Sequence, residues 1–257
     1  MNITEIAQII NNNGGRLYYV GGCVRDRLMG LPSKDIDCCL VGMTEEKFIK
    51  LFPNSFKRGS FFPVFDLNGY EIALARKEEK ISEGHQGFNT FTDSVTLEED
   101  LIRRDITINS IAIDILTNEI IDPFNGQDDI TDKIIRATSN HFLEDPLRVY
   151  RVAQFASRLN FNIDKDTITL MKSMKNELNT ISVERVFEEL KKALSSSKPS
   201  IFFDLLRDTD LLDVHFKEIY ELIEVIQPIV LNLDLLDDLN DLLTDYQFFL
   251  IHDVLFQ

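Results

Sequence analysis

Leu17-Tyr18-Tyr19-Val20-Gly21-Gly22-Cys23-Val24-Arg25-Asp26 decides how the first half of the chain is read. A short apolar run from Leu17 to Val20 has the character of a strand and breaks at the Gly-Gly pair. A helix is predicted from Val24 to Met29, stopped by Gly30 and Pro32. At such a strand-to-helix turn the missing Cβ atoms let a phosphate approach backbone N–H groups, and the helix dipole favours an anion there. Outward from this unit, Asp35–Val41 reads as a second strand. Asn68-Gly69, a strong turn signal, predicts a hairpin joining 61–67 to a third strand, Glu71–Ala75. The polar stretch Arg76–Asp93, with Gly84 and Gly87 and no sustained period, is expected to be a mobile loop. Apolar character returns at Ile108–Ile113, and Ile120-Ile121-Asp122-Pro123 closes that section at a turn.

From Asp145 the period changes. Leu147, Val149, Val152, Phe155, Ala156 and Leu159 predict one buried helical stripe, and Val183, Val186, Phe187, Leu190 and Leu194 another. The expected fold class is therefore α+β. A small mixed sheet with flanking helices should occupy residues 1–140, a helical region 141–200, and a short acidic helical segment 201–257.

Composition sets limits on function. With 44% hydrophobic and 27% charged residues the chain is of the globular class. It holds no apolar run near the ~20 residues of a membrane span, and Met1-Asn2-Ile3-Thr4-Glu5 lacks a signal-peptide pattern. A cytoplasmic location without membrane partners is expected. Cys23, Cys38 and Cys39 have no metal-ligand spacing and are expected as reduced thiols in a core. A net charge of −16 argues against nucleic-acid binding over the whole surface. The charge is uneven, however: residues 201–257 hold two basic against thirteen acidic residues, whereas 161–200 hold seven basic and six acidic. Any RNA contact is expected upstream of the acidic segment.

Asp35 and Asp37, two apart on a predicted strand, should project from one face. Two such carboxylates repel unless a cation lies between them, and hard oxygen ligands suit Mg²⁺. Glu71, heading another predicted strand, is placed to supply a third carboxylate.

The run Tyr19–Asp26 followed by Lys34-Asp35-Ile36-Asp37 resembles the signature of the class II tRNA nucleotidyltransferase and bacterial poly(A) polymerase family. Arg103-Arg104-Asp105-Ile106-Thr107-Ile108-Asn109, Asp122-Pro123-Phe124-Asn125-Gly126, Glu144-Asp145-Pro146-Leu147-Arg148 and Glu184–Leu190 join it in the family's order. The likeness runs from about residue 17 to 222, closest to the bacterial CCA-adding members, and implies a nucleotidyltransferase head followed by a helical neck. It implies that Asp35 and Asp37 hold two Mg²⁺ ions and that Asp35, Asp37 and Glu71 are catalytic. The implied reaction is attack of a tRNA 3′-hydroxyl on the α-phosphate of CTP or ATP, expelling pyrophosphate.

Base choice is assigned by the resemblance, and by donor pattern, to Asp145 and Arg148, which are three apart on a predicted helix and so should share a face. A carboxylate accepts and a guanidinium donates, which matches the Watson–Crick edges of cytosine and adenine but not those of guanine and uracil. Gly22, Arg25, Arg104 and Arg151 are expected around the nucleotide, the arginines as phosphate or nucleotide clamps, and Asp105 and Asn109 at the ribose 2′-hydroxyl. Arg103 is open between a structural ion pair and a functional role. Ser182 is expected to N-cap a helix on which Arg185 faces Glu188 or Glu189.

Departures from the family pattern are Gln154 where relatives carry arginine, and Ser110 where they carry alanine. No paired His-Asp phosphohydrolase motif is present, His215 and His252-Asp253 being isolated. Two other readings share the head motifs: a polymerase adding A, or only C, to other RNA 3′ ends, and a non-catalytic nucleotide-binding relative.

Overall fold

A computed structural model describes residues 1–33, 35–58, 64–80, 88–91 and 94–221 of the chain. Residues 1–148 with 161–170 form one compact unit, and 149–160 with 171 onward form a second. The helix predicted after Gly21-Gly22 begins at Gly22 itself. Asn68 (φ 54°) and Gly69 (φ 83°) take the paired positive-φ conformation of a tight hairpin turn.

The first unit opens with α1 (Ile3–Asn12), whose Asn2 and Glu5 form a reciprocal capping box. There follow β1 (Arg16–Val20), α2 (Gly22–Leu28), β2 (Asp37–Val41), α3 (Glu45–Leu51), β3 (Phe56–Arg58), β4 (Val64–Leu67) and β5 (Tyr70–Leu74). Next come β6 (Lys77–Lys80), β7 (Phe88–Phe91), α4 (Leu97–Ile102), β8 (Ala112–Asp114), β9 (Ile120–Ile121), α5 (Gly126–Asp132) and β10 (Ile134–Ile135). Seven strands make one sheet in the order β3-β4-β5-β2-β1-β8-β9. Only the central β2·β5 pair is parallel, so the sheet is mixed, as expected from the sequence.

One face of the sheet is closed by an apolar cluster in which Ile6 and Ile10 of α1 and Phe48 of α3 pack with Leu17, Leu40, Phe65 and Ile72. All three cysteines are free and buried, in agreement with the sequence reading. Burial pushes their thiols up, so they stay protonated and serve as packing.

The second unit and its surroundings are helical: α6 (Leu147–Leu159), α7 (Lys165–Ser173), α8 (Lys175–Leu178), α9 (Val183–Leu194) and α10 (Ser200–Asp208). A two-residue strand, β11 (Asn162–Ile163), interrupts the predicted helical run and pairs in parallel with β10. The α6 stripe is broader than predicted, since Tyr150, Ala153 and Ser157 are buried too. On α9, Val186 and Leu190 are buried as expected, whereas Val183, in the first turn, is 69% exposed. No helix among the described residues is long and apolar enough to cross a membrane.

The loop expectation for Arg76–Asp93 is corrected. β6 and β7 pair antiparallel, Lys77 opposite Phe91 and Lys80 opposite Phe88. Four-residue strands are too short to show an alternation in the sequence, and the ladder itself is made by backbone hydrogen bonds. Residues 81–87 and 92–93 lie outside the described residues, as do Lys34, part of the predicted 61–67 strand, and the acidic stretch from 222 onward.

Candidate active site

Parallel pairing of β2 with β5 sets Asp37 opposite Glu71, and antiparallel pairing of β4 with β5 sets Asp66 opposite the same Glu71. Opposed residues share a sheet face, so Asp66, Glu71 and Asp37 form one lateral row of carboxylates. The strand begins at Asp37, not at Asp35 as predicted. Asp35 is exposed just ahead of it, and the Ile36 carbonyl still accepts from Glu71 N–H at 3.2 Å. The same-face argument for Asp35 therefore fails as stated, because the regular pleat does not reach it. Its charge is nonetheless felt at Asp37.

The row borders a cleft of about 240 Å³ whose lining includes Asp37, Glu71, Arg76, Asp100, Arg103 and Arg104. Asp37 and Glu71 are paired across two strands, whereas Asp100 is held by Arg103 and Arg104. Burial, and then the Glu71 charge, push the Asp37 carboxyl above its ordinary range; Arg104 opposes this and Asp35 adds to it. Among the described residues no three His, Cys, Asp or Glu side chains converge as ligands of one metal ion. Two adjacent carboxylates still fit Mg²⁺, which typically takes one or two carboxylates and completes its shell with substrate phosphates and water.

Gly21, at the turn from β1 to α2, lies beside two residues of this cleft. Its φ is +72°, and a Cβ there would lie 3.3 Å from Arg104 Nη1 and 3.8 Å from Asp37 Oδ2. Any larger residue would be strained there and would crowd Arg104. Arg104 is fixed by Asp100, with Nη2 donating to Oδ2 at 2.9 Å, and its buried Nε has no hydrogen-bond partner among the described residues. Asp100 also accepts from the Arg103 guanidinium and from Arg76 N–H. Burial alone would push the Asp100 carboxyl up, but Arg104 and Arg103 together hold it well below the usual carboxylate range. Sequence reading missed Asp100; its spacing of three and four from Arg103 and Arg104 was the available signal. Arg103 thus has a structural ion pair while also lining the cleft.

Arg25 departs from the expected phosphate clamp. It is 2% exposed and its guanidinium points inward, donating to Asp26 Oδ1 (2.9 and 2.7 Å) and to Asn109 Oδ1 (2.6 Å). Asn109 in turn donates to Asp105 Oδ1 at 3.2 Å. A neighbouring acid and amide outcompete solvent for Arg25, since a buried guanidinium must be paired. Gly22 belongs to this side: a Cβ there would approach Arg25 Nη2 at 3.5 Å. Three predicted nucleotide residues, Arg25, Asp105 and Asn109, are thereby joined in one buried network.

Asp145 is not within a helix, as predicted, but in the extended residue ahead of α6. Pro146 after it disfavours helical backbone at that position. Its Oδ1 accepts from Leu147 N–H at 3.1 Å and its carbonyl from Arg148 N–H at 3.0 Å, so it caps α6. Arg148, 9% exposed, donates to the carbonyls of His141 (2.5 Å) and Arg103 (2.6 Å). In the second unit, Arg151 Nη1 lies 4.0 Å from Glu189 Oε1 and its guanidinium sits over Phe155. Glu189 Oε2 and Gln154 Nε2 are both buried without a hydrogen-bond partner among the described residues. Ser182 holds the N-cap position of α9, but its side chain makes no capping bond.

Residues 17–136 match the "Poly A polymerase head domain" family, and residues 160–222 match "Probable RNA and SrmB- binding site of polymerase A". The chain is 43% identical over 228 residues to the multifunctional CCA protein of Haemophilus ducreyi, covering 85% of this chain and 55% of that protein. It is 46% identical over 213 residues to the CCA-adding enzyme of Francisella tularensis subsp. novicida, covering 79% and 56%. The fold matches the crystal structure of the Bacillus stearothermophilus CCA-adding enzyme in complex with CTP at TM-score 0.70 and 33% identity, over 81% of this chain and 51% of that one. It also matches a tRNA nucleotidyltransferase complexed with primer tRNA and an incoming ATP analog, at TM-score 0.66 and 29% identity, over 89% and 70%. The chain thus spans about half the length of the curated relatives it matches. Fold, motif order and these similarities together place the chain in the tRNA nucleotidyltransferase and poly(A) polymerase family.

Proposed function

We propose that this chain carries the catalytic part of a cytoplasmic, template-independent nucleotidyltransferase that adds C and A residues to the 3′ end of tRNA. The observation that carries the reading is the cleft in which Asp37 and Glu71 stand side by side and which Arg103 and Arg104 also line. Such a site offers acids for a cation and donors for a triphosphate. Asp35 and Asp37 would hold two Mg²⁺ ions, with Glu71 as the third acid. These ions supply a lowered pKa at the attacking hydroxyl and charge neutralisation on the departing pyrophosphate. Arg104, set by Asp100, donates to phosphate oxygens, and Gly21 keeps the approach to it open. Arg25 acts indirectly, holding Asn109 and through it Asp105 for the ribose.

Asp145 and Arg148 read the base. Anchoring of Arg148 on two carbonyls and capping by Asp145 restrict both side chains, and restricted donors and acceptors penalise a mismatched edge instead of adapting to it. Residues 1–140 serve as the head, 141–200 as the base-selecting and RNA-contacting neck including Arg151, and 201–257 as an acidic extension. The relatives named CCA-adding enzymes, and the neighbours holding CTP or an ATP analog, support this choice of substrates. The poly(A) polymerase name of the head family favours addition of A alone as a second reading. One experiment separates the two. tRNA ending at the discriminator base, in C, or in CC is incubated with each NTP separately and Mg²⁺. Ordered C, C and then A incorporation is expected; A added to every end regardless of sequence would favour the second reading, and no transfer would refute both.

A further inference from the structure

The carboxylate row has a counter-ion already present in the chain. Arg58, on the edge strand β3, donates Nη2 to Asp66 Oδ2 at 2.6 Å and Nη1 to Glu71 Oε1 at 3.1 Å. Through the β3·β4 register, Arg58 lies opposite Val64, one step diagonal to Asp66, so it shares the cleft face. Its side chain is 53% exposed and Glu71 is 45% exposed. A pair so open to water is weak and exchanges readily. Glu71 therefore faces two competing cationic demands: the guanidinium seen here and a cation shared with Asp37.

We propose that Arg58 is a displaceable counter-ion, competing with the divalent cation for Glu71 and so setting the affinity of the cleft for metal. The inference rests on the reading of Asp37 and Glu71 as metal-holding acids. With Arg58 on Glu71, the row carries less net negative charge and the metal site is kept weak until nucleotide phosphates complete it. Removal of Arg58 frees Glu71 and leaves the row with one positive charge fewer.

The test is Mn²⁺ binding to the full chain without nucleotide, followed by the electron paramagnetic resonance signal of free Mn²⁺. Arg58→Ala is expected to lower the Mn²⁺ Kd about two- to fivefold, the scale of one exposed ion pair. Arg58→Lys, which keeps the charge, should stay near the parent. Unchanged or weaker binding in Arg58→Ala would overturn the proposal. Asp37→Ala controls the underlying assignment: if it leaves Mn²⁺ binding intact, the metal reading of the cleft fails; if it abolishes binding while Arg58→Ala has no effect, only the role of Arg58 falls. Thermal melts of each variant confirm that folded protein is compared.

Discussion

Two charged clusters flank the Gly21-Gly22 turn, and they are built in opposite ways. In the Arg25, Asp26, Asn109 and Asp105 network the guanidinium is closed off from solvent and bonded to an acid and an amide. In the cleft, Asp37 and Glu71 stand side by side, burial and then the Glu71 charge push the Asp37 carboxyl up, and Arg104 Nε is left without a partner among the described residues. A satisfied buried network stabilises a fold. A surplus of like charge costs stability, and it is retained where a ligand completes it. The same motif therefore supplies the brace on one side and the proposed reaction site on the other.

Four substitutions should separate brace from site. Asp37→Ala should lower incorporation of both CTP and ATP by about a thousandfold or more, while the urea midpoint stays level or rises, because the ionised carboxylate is unfavourable in the fold. Near-parental turnover in Mg²⁺ would remove the cleft as the site. Arg25→Ala should act first on stability, costing about 3–5 kcal/mol by removing the buried guanidinium that Asp26 and Asn109 share. Urea unfolding measures this, and a loss under 1 kcal/mol would show that the network is not the brace described.

Asp100→Asn is expected to cost about 2–3 kcal/mol at pH 7, lying between the two clusters in character. The Asp100 carboxyl is held below its unfolded value, so its contribution is present above the ordinary carboxylate pKa of about 4 and is lost as pH falls through the lower folded value. Unfolding at pH 7 and at pH 3 should thus show a smaller acid-induced loss in the variant than in the parent; equal losses would contradict the assignment. Asp145→Asn keeps an acceptor for Leu147 N–H but adds a donor, so it should relax discrimination against UTP and GTP by about 1–3 kcal/mol without unfolding α6. Competition between CTP and UTP on tRNA-C reads this directly, and unaltered selectivity would move base choice elsewhere.

The local sequence determined the turn at Gly21-Gly22, the Asn68-Gly69 hairpin, the burial of the cysteines and the change to helical period after Asp145. Each follows from conformational preference or periodicity within a few residues, and the ordered motifs were enough to show the family resemblance. The tertiary structure decided which strands became neighbours. Insertion of β2 between β1 and β5 brings Asp37 beside Glu71, although 33 residues of chain separate them. It also turned Arg25 inward onto Asn109, 84 residues away in the chain, and set Arg148 on the carbonyl of Arg103, 45 residues away. These outcomes were not legible in the sequence because a charged side chain takes whichever partner the packed fold brings within hydrogen-bond reach, and that competition is settled by sheet register and burial rather than by spacing along the chain.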